Sequence, residues 1–548
     1  MATETTVLDS DPDQRVRTLL ETYDSPAATA AVLLCDRHPA DRVAVTVVES
    51  DLSHTDLTYG ELRERSERFA AALGELGVGP GDRVATLMAK SADLVVALLG
   101  IWRRGAVHVP LFTAFAPPAI AFRLTAADAC WVIADADQAA KLLPGDDIPA
   151  VAPWGVIVAG GEQPGALRFE ELLAGHSAAD PLAAAVTVGG DGALVQLFTS
   201  GTTGTPKGVP IPLRALASFH AYQEFALDVR PDDVFWNGAD PGWAYGLYYA
   251  ILAPLASGIR TLLLHAPFSP ALTWQVLERF GVTNFAAAPT VYRALRAEPA
   301  PEGGTLRRAS SAGEPLTPEV VEWSAAALGV QVRDHYGQTE HGMVIGNAWH
   351  EALDATVPPG SMGRQLPGWH CAVLADDADA EAPTGELGRV AIDTGNSPLL
   401  WFTGYLDAPE RTAQRFTADG RWYLTGDVGS QDADGFFRFS ARDDDVIIMA
   451  GYRIGPFEVE SVLLLHPGVA EAAVVGMPDE LRGEVLEAFV VLGREATGDD
   501  ELAAELRQLV KQKFAAHAYP RRVHFVDTLP KTPSGKVQRY LLRRGGAR

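Results

Sequence analysis

Ten consecutive residues, Thr199, Ser200, Gly201, Thr202, Thr203, Gly204, Thr205, Pro206, Lys207 and Gly208, carry five hydroxyl side chains, three glycines and one lysine. They follow the apolar run 193–198, so a buried strand is expected to open into a loop here. A loop of this composition can wrap backbone N–H groups and hydroxyls around phosphate oxygens, with the lysine supplying charge. It differs from a Walker A loop. Pro206 stands where that motif needs glycine before its lysine, and Gly208 replaces the Ser or Thr that would hold magnesium.

Other chemistry-bearing segments follow: Ser311-Ala312-Gly313-Glu314-Pro315, Asp334-His335-Tyr336-Gly337-Gln338-Thr339-Glu340, Tyr423-Leu424-Thr425-Gly426-Asp427, Arg442-Asp443-Asp444-Asp445, and 530–536 ending at Lys536. With the segments 57–62 and 105–111, and in this order, they make the chain resemble the AMP-forming adenylating enzymes. That superfamily comprises acyl-CoA synthetases, peptide-synthetase adenylation domains and firefly luciferase. The resemblance runs from about residue 30 to residue 545.

The resemblance implies an acid–thiol ligase. A carboxylate is a poor acyl donor because its leaving group would be oxide, so such enzymes first join it to the α-phosphorus of ATP, releasing pyrophosphate. Two anions must then be brought together. By resemblance, Lys207 and the loop residues Thr199, Ser200, Gly201, Thr202, Thr203 and Gly204 hold the β- and γ-phosphates. Thr339 contacts the α-phosphate, and Glu340 helps to hold Mg²⁺. Gly313, Glu314, Pro315, Asp334, His335, Tyr336, Gly337 and Gln338 form the adenine stretches, with His335 read as structural support. Asp427 takes the ribose hydroxyls, assisted by Arg442. Lys536 bridges carboxylate and α-phosphate, so Lys536, Thr339 and Glu340 are the expected catalytic residues.

The second half-reaction needs a thiol. In the family a small C-terminal domain turns about a hinge, here Asp444, withdrawing the lysine and presenting another face. The segment 451–460 looks most like the medium-chain acyl-CoA synthetases. Residue-by-residue matching carries CoA contacts onto Arg453, Arg482, Lys511 and Tyr519. Ala450 stands where the family has serine, which leaves one CoA contact open. The acyl pocket maps to Trp243, Ala244, Tyr245, Ala312 and Gly337. In acetate-specific relatives tryptophan occupies the Gly337 position and valines those of Ala244 and Ala312, so acetate should not fill this site. Tyr245, expected beside Trp243, narrows it again, which suits short-to-medium-chain, branched or aryl acids. At about 0.8 kcal/mol per buried CH₂, longer acids gain a few kcal/mol over acetate. Loading of a carrier-protein thiol is the alternative, disfavoured by the Arg453/Arg482 pattern. A luciferase-type oxygenase and a nucleic-acid-binding protein with a degenerate nucleotide site are weaker readings. Acylation of Lys536 by a lysine acyltransferase, reversed by a deacylase, would silence the enzyme by removing the bridging cation.

These residues need elements to position them. Residues 59–76 place Leu62, Phe69, Ala70, Leu73 and Leu76 on one helical face. The runs 83–88, 106–110, 261–264, 284–288 and 331–334 read as short buried strands alternating with helices, which is α/β layering. The expected fold is therefore α/β, a large N-terminal domain of layered subdomains (1–442) followed by a small, mobile α+β lid (443–548). At 548 residues the chain exceeds the ~250–300 that one core supports.

Composition sets outer limits. The chain is 47% hydrophobic and 21% charged, which are globular proportions. Forty-five Lys and Arg against 70 Asp and Glu give −25, a field that repels nucleic acid and anionic membranes. Eight of those cations fall in 520–548 against one acid, Asp527. Cys35, Cys130 and Cys371 are far apart and read as reduced thiols. The polar, acidic N-terminus lacks a signal-peptide pattern, and the apolar stretches 94–102 and 243–258 are too short or too interrupted to span a membrane. A cytoplasmic location is expected.

Overall fold

The computed structural model describes residues 11–199, 206–301, 304–449, 452–479, 483–493, 496–515, 518–532 and 536–545, with backbone alone at 452 and 453. Helix Tyr59–Glu75 starts on a reciprocal cap: Thr58 accepts from the Glu61 N–H, and the Glu61 carboxylate accepts from the Thr58 N–H. Its buried face, Leu62, Phe69, Ala70 and Leu73, packs against helix Ala92–Arg103, which Ser91 caps and which is apolar and buried nearly all round.

Among the described residues four sheets form. In the first, Gly155–Ala159, Ala129–Asp135, Arg83–Leu87, Val107–Pro110 and Ala193–Thr199 run parallel, and Lys207–Pro212 pairs antiparallel with the last, setting Lys207 opposite Thr199. In the second, Val43–Glu49, Thr261–His265, Phe235–Asn237, Asn284–Ala287, Arg308–Ala312 and Arg333–Gln338 run parallel. Gly342–Gly346 turns back antiparallel beyond them. Helices on the faces explain why these strands read as continuous apolar runs. The strand expected at 331–334 lies two residues later and extends to Gln338, because pairing with Gly342–Gly346 recruits a polar stretch that has no strand-like alternation.

The third sheet is an antiparallel meander of Cys371–Leu374, Gly388–Asp393, Trp422–Gln431 and Phe437–Arg442. A one-turn 3₁₀ segment, Asp443–Asp445, leads out of it. The fourth sheet comprises Ile447–Met449, Tyr452–Ile454, Val469–Asp479, Gly483–Leu492 and Arg522–Phe525. With helices Pro456–Leu463 and Asp500–Lys513 it encloses its own core of Val459, Leu463, Val474, Leu486, Leu506 and Val510. The large α/β part and the small α+β part are thus separately cored.

The apolar run 243–258 is a buried helical stretch, Ala244–Ser257, with a π-helical segment at Leu247–Leu252, and Gly258 closes it in the left-handed conformation (φ 75°). No helix among the described residues is long and apolar enough to cross a membrane.

Candidate active site

The meander sets Asp427 directly opposite Arg442, and the second sheet brings Arg333–Gln338 against the same point. Arg442 Nη1 donates to Asp427 Oδ1 at 3.0 Å, while Tyr336 Oη and Gln338 Nε2 (2.6 Å) donate to Oδ2. Gln338 Nε2 also donates to the Thr425 carbonyl at 2.9 Å. The Asp427 carboxylate, 3% exposed, is therefore held by three donors from two sheets. Its charge beside Arg442 raises the pKa of that guanidinium.

Glu340 lies in the turn between Arg333–Gln338 and Gly342–Gly346 and is buried. Tyr405 Oη donates to its Oε1 at 2.7 Å and accepts from Arg415 Nε at 3.1 Å. Lys207 Nζ stands 4.8 Å from the centre of the same Tyr405 ring, a cation–π distance. Burial lowers the Lys207 pKa, assisted by the nearby Arg415 and Arg411 guanidiniums. The Thr339 carbonyl accepts from Tyr248 Oη at 3.0 Å, which fixes the turn. Sequence reasoning did not single out Tyr405 or Arg415. No motif marks Tyr405, whose contact with Glu340 spans 65 residues of chain.

Lys536 belongs to a tight loop in which the Thr532 N–H donates to the Lys536 carbonyl and the Lys536 N–H donates to Thr532 Oγ1, with Lys531 bridged to Val537. Lys536 is exposed, with charged groups of the large domain within electrostatic range of its side chain. Desolvation lowers its pKa, opposed by the charges of Glu314, Asp427 and Glu340 and reinforced by Arg442. Those four are expected nucleotide-site residues.

Asp334 Oδ2 accepts from the Leu316 N–H at 3.2 Å, while its Oδ1 is buried and finds no partner among the described residues. Burial pushes its carboxyl up to about 8. Gly313 (φ 101°) adopts a backbone conformation suited to glycine, and Glu314 pairs with Arg293 at 3.1 Å, beside the half-buried Pro315. His335 is buried, with its Nδ1 2.7 Å from Tyr222 Oη.

Two acyl-pocket expectations change. Trp243 packs on Phe112 and Phe115, whereas Tyr245 packs on Tyr222 and Tyr249, so the two rings do not lie together. A Cβ on Gly337 would sit 2.1 Å from the Gly342 carbonyl oxygen, so this glycine meets the close approach of the neighbouring strand rather than opening space. Ala244 is half-buried and Ala312 buried.

Of the expected CoA residues, Lys511 and Tyr519 come together: Lys511 Nζ stands 4.1 Å and Arg521 Cζ 4.0 Å from the Tyr519 ring centre. Arg453 pairs through its backbone with Ile448, and its side chain lies outside the description. Arg482 and the loop residues Ser200, Gly201, Thr202, Thr203 and Gly204 also lie outside the described residues. Asp444 is exposed in the 3₁₀ turn between the two cored parts.

Among the described residues no group of three or more His, Cys, Asp or Glu is placed to hold a metal ion. Glu340 is a single hard-oxygen carboxylate, which fits a magnesium ion that draws its other ligands from nucleotide phosphates and water.

Known proteins bear on this geometry. The AMP-binding enzyme family matches residues 33–406, and the AMP-binding enzyme C-terminal domain matches 458–536. The acetyl-coenzyme A synthetase of Bacillus subtilis (strain 168) is 37% identical over 496 residues, covering 89% of this chain and 84% of that protein. The mitochondrial acyl-coenzyme A synthetase ACSM3 of Homo sapiens is 36% identical over 502 residues, covering 89% and 83%. Among solved structures, the acyl-CoA synthetase of Brucella canis superposes with a TM-score of 0.76 at 44% identity over 98% of both chains. A benzoate CoA ligase from Burkholderia xenovorans LB400 superposes at 0.82 with 32% identity, over 94% of this chain and 100% of that one. The chain belongs to the AMP-binding enzyme family, as one of its AMP-forming acyl-CoA synthetases.

Proposed function

We propose that this protein ligates CoA to a carboxylic acid larger than acetate, in two half-reactions at one site, with residues 1–442 as body and 443–548 as a lid turning about Asp444. The observation that carries the reading is the convergence of Arg442, Tyr336 and Gln338 on Asp427, with the charges of Asp427, Glu314, Glu340 and Arg442 all acting on Lys536. In the first half-reaction a substrate carboxylate oxygen attacks the α-phosphorus, the bond to the β-phosphate breaks, and pyrophosphate leaves. The Lys536 ammonium bridges the two anions as they approach, which lowers the repulsion between them. Lys207 and the loop 199–204 hold the departing phosphates, Thr339 the α-phosphate, and Asp427 with Arg442 the ribose. The stretches 313–315 and 334–338 line the adenine. Glu340, oriented by Tyr405, would hold magnesium, which when bound offsets phosphate charge.

In the second half-reaction the CoA thiolate attacks the acyl carbonyl, the bond to the phosphate oxygen breaks, and AMP leaves. Arg453, Arg482, Lys511 and Tyr519 receive CoA. Support comes from Lys511 and Arg521, which both stand over the Tyr519 ring and so gather two cations for the phosphates of CoA, favouring free CoA over a carrier-protein thiol. Ala244 and Ala312 remain the small residues that argue against acetate, within a pocket edged by Trp243 and Tyr245. The cytoplasm and a lysine acyltransferase acting on Lys536 stay part of this reading.

Pyrophosphate release over a panel of acids, with and without CoA, tests it. Butyrate-to-octanoate or benzoate-like acids should exceed acetate in kcat/KM by at least about tenfold. A panel led by acetate contradicts the pocket, and absence of AMP and acyl-CoA with free CoA contradicts the acceptor.

A further inference from the structure

One buried chain of polar groups runs into the acyl region, and its polarity is determined by its far end. His335 Nε2 lies 3.4 Å from the Asn347 carbonyl oxygen, His335 Nδ1 lies 2.7 Å from Tyr222 Oη, and Tyr222 Oη lies 3.1 Å from Tyr245 Oη. Burial holds the His335 imidazole near 3, so at working pH the ring is neutral and carries a single N–H. A carbonyl only accepts, so that hydrogen belongs to Nε2, and Nδ1 must accept. The single Tyr222 hydrogen therefore goes to Nδ1, leaving its oxygen able only to accept. Tyr245 must donate its one hydrogen to Tyr222. Burial raises the pKa of both phenols, so neither loses its hydrogen at working pH.

The consequence falls on Tyr245. Tyr222 and His335 are buried, whereas Tyr245 is the member of the chain that keeps accessible surface. It stands in the first turn of the helical stretch after Trp243, and its neighbour Tyr249 is already engaged with the Met343 N–H at 2.9 Å. With its hydrogen committed inward, the Tyr245 oxygen offers only lone pairs to whatever enters. We propose that Tyr245 is a specificity-determining acceptor and that the physiological acid carries a hydrogen-bond donor, a hydroxyl or an amino group, on its acyl or aryl portion. An isosteric methyl would leave the lone pairs of that oxygen without a donor, and an ether or ketone would face it lone pair to lone pair. This inference rests on the acid:CoA ligase reading and on the pocket assignment of Tyr245.

The test uses the full-length protein with size-matched acids: 3-hydroxybenzoate against 3-methylbenzoate, and 6-hydroxyhexanoate against heptanoate. The ratio of kcat/KM for pyrophosphate release should favour the hydroxy acid about tenfold or more in at least one pair. Tyr245→Phe should bring that ratio to near one. Tyr222→Phe has an opposite signature: it frees the Tyr245 hydrogen, so 3-methoxybenzoate should improve relative to 3-methylbenzoate, a switch that loss of packing would not produce. Methyl and hydroxy acids used equally by the wild type, or a ratio that Tyr245→Phe leaves unchanged, would overturn the proposal. No pyrophosphate with any acid would instead overturn the ligase reading beneath it.

Discussion

Asp334 shows how burial sets the pH response of this site. Its folded pKa of about 8 lies well above the ~3.9 of an exposed aspartate. The folded state therefore binds a proton that the unfolded state has released. The stability it contributes is fully present below about pH 4 and declines as pH rises towards 8. Asp334→Asn, which keeps shape without charge, should flatten the decline in Tm between pH 5 and 9. Parallel Tm curves for the two proteins would refute that environment. Tyr405 gives a second residue-scale expectation. Tyr405→Phe keeps the ring beneath Lys207 but removes the donor to Glu340 and the acceptor for Arg415. The apparent magnesium requirement for pyrophosphate release should rise about tenfold, and an unchanged magnesium titration would separate Glu340 from the metal. Asp427, Arg442 and Lys536 were legible in the sequence because short motifs surround them. Tyr405 and Arg415 were not, since only the folded chain brings these distant loop residues to Glu340.

At the scale of elements, the aim of the lysine loop depends on the short helix that follows it. Helix Arg539–Arg543 is tied to the root of the small domain by Arg539 with Glu460 at 2.8 Å and Arg543 with Asp445 at 2.6 Å. Asp445 adjoins the expected hinge, and helix Pro456–Leu463 packs on the last meander strand, with Phe457 and Phe439 in ring contact. Arg543→Ala should blur the placement of Lys536 and slow adenylate formation about tenfold, since small displacements of a catalytic group are costly. Thioester formation from supplied acyl-adenylate should stay within about twofold of the wild type. Equal slowing of both steps would show that the helix supports the fold at large. The helix Tyr59–Glu75 was readable to within a residue because Thr58 and Glu61 cap it and its apolar face repeats at helical spacing. Strand Arg333–Gln338 was displaced because its residues are polar and do not alternate, so hydrophobic pattern says little there. The pocket argument at Gly337 failed for a related reason: the clash that demands glycine comes from a backbone partner, which sequence alone does not display.

For the whole molecule, the question is how a chain of net charge −25 handles ATP, a carboxylate and CoA. The cation-rich tail resembled a free basic patch in sequence. In the fold four of the eight are paired with carboxylates, Lys531 with Glu471, Arg522 with Glu487, Arg539 with Glu460 and Arg543 with Asp445, and Arg521 lies over Tyr519. For Lys536 no ion pair at contact distance is found among the described residues, and its neighbours are the site's own carboxylates and Arg442. In the proposed reaction the large domain presents the nucleotide site, and the small one carries a cation that serves one half-reaction. The most direct test follows Lys536→Ala through each half-reaction separately. Acid-dependent pyrophosphate release should fall by at least about a hundredfold, while CoA should still convert supplied acyl-adenylate to acyl-CoA and AMP at near the wild-type rate. Equal loss of both steps, or an unaffected first step, would contradict the account.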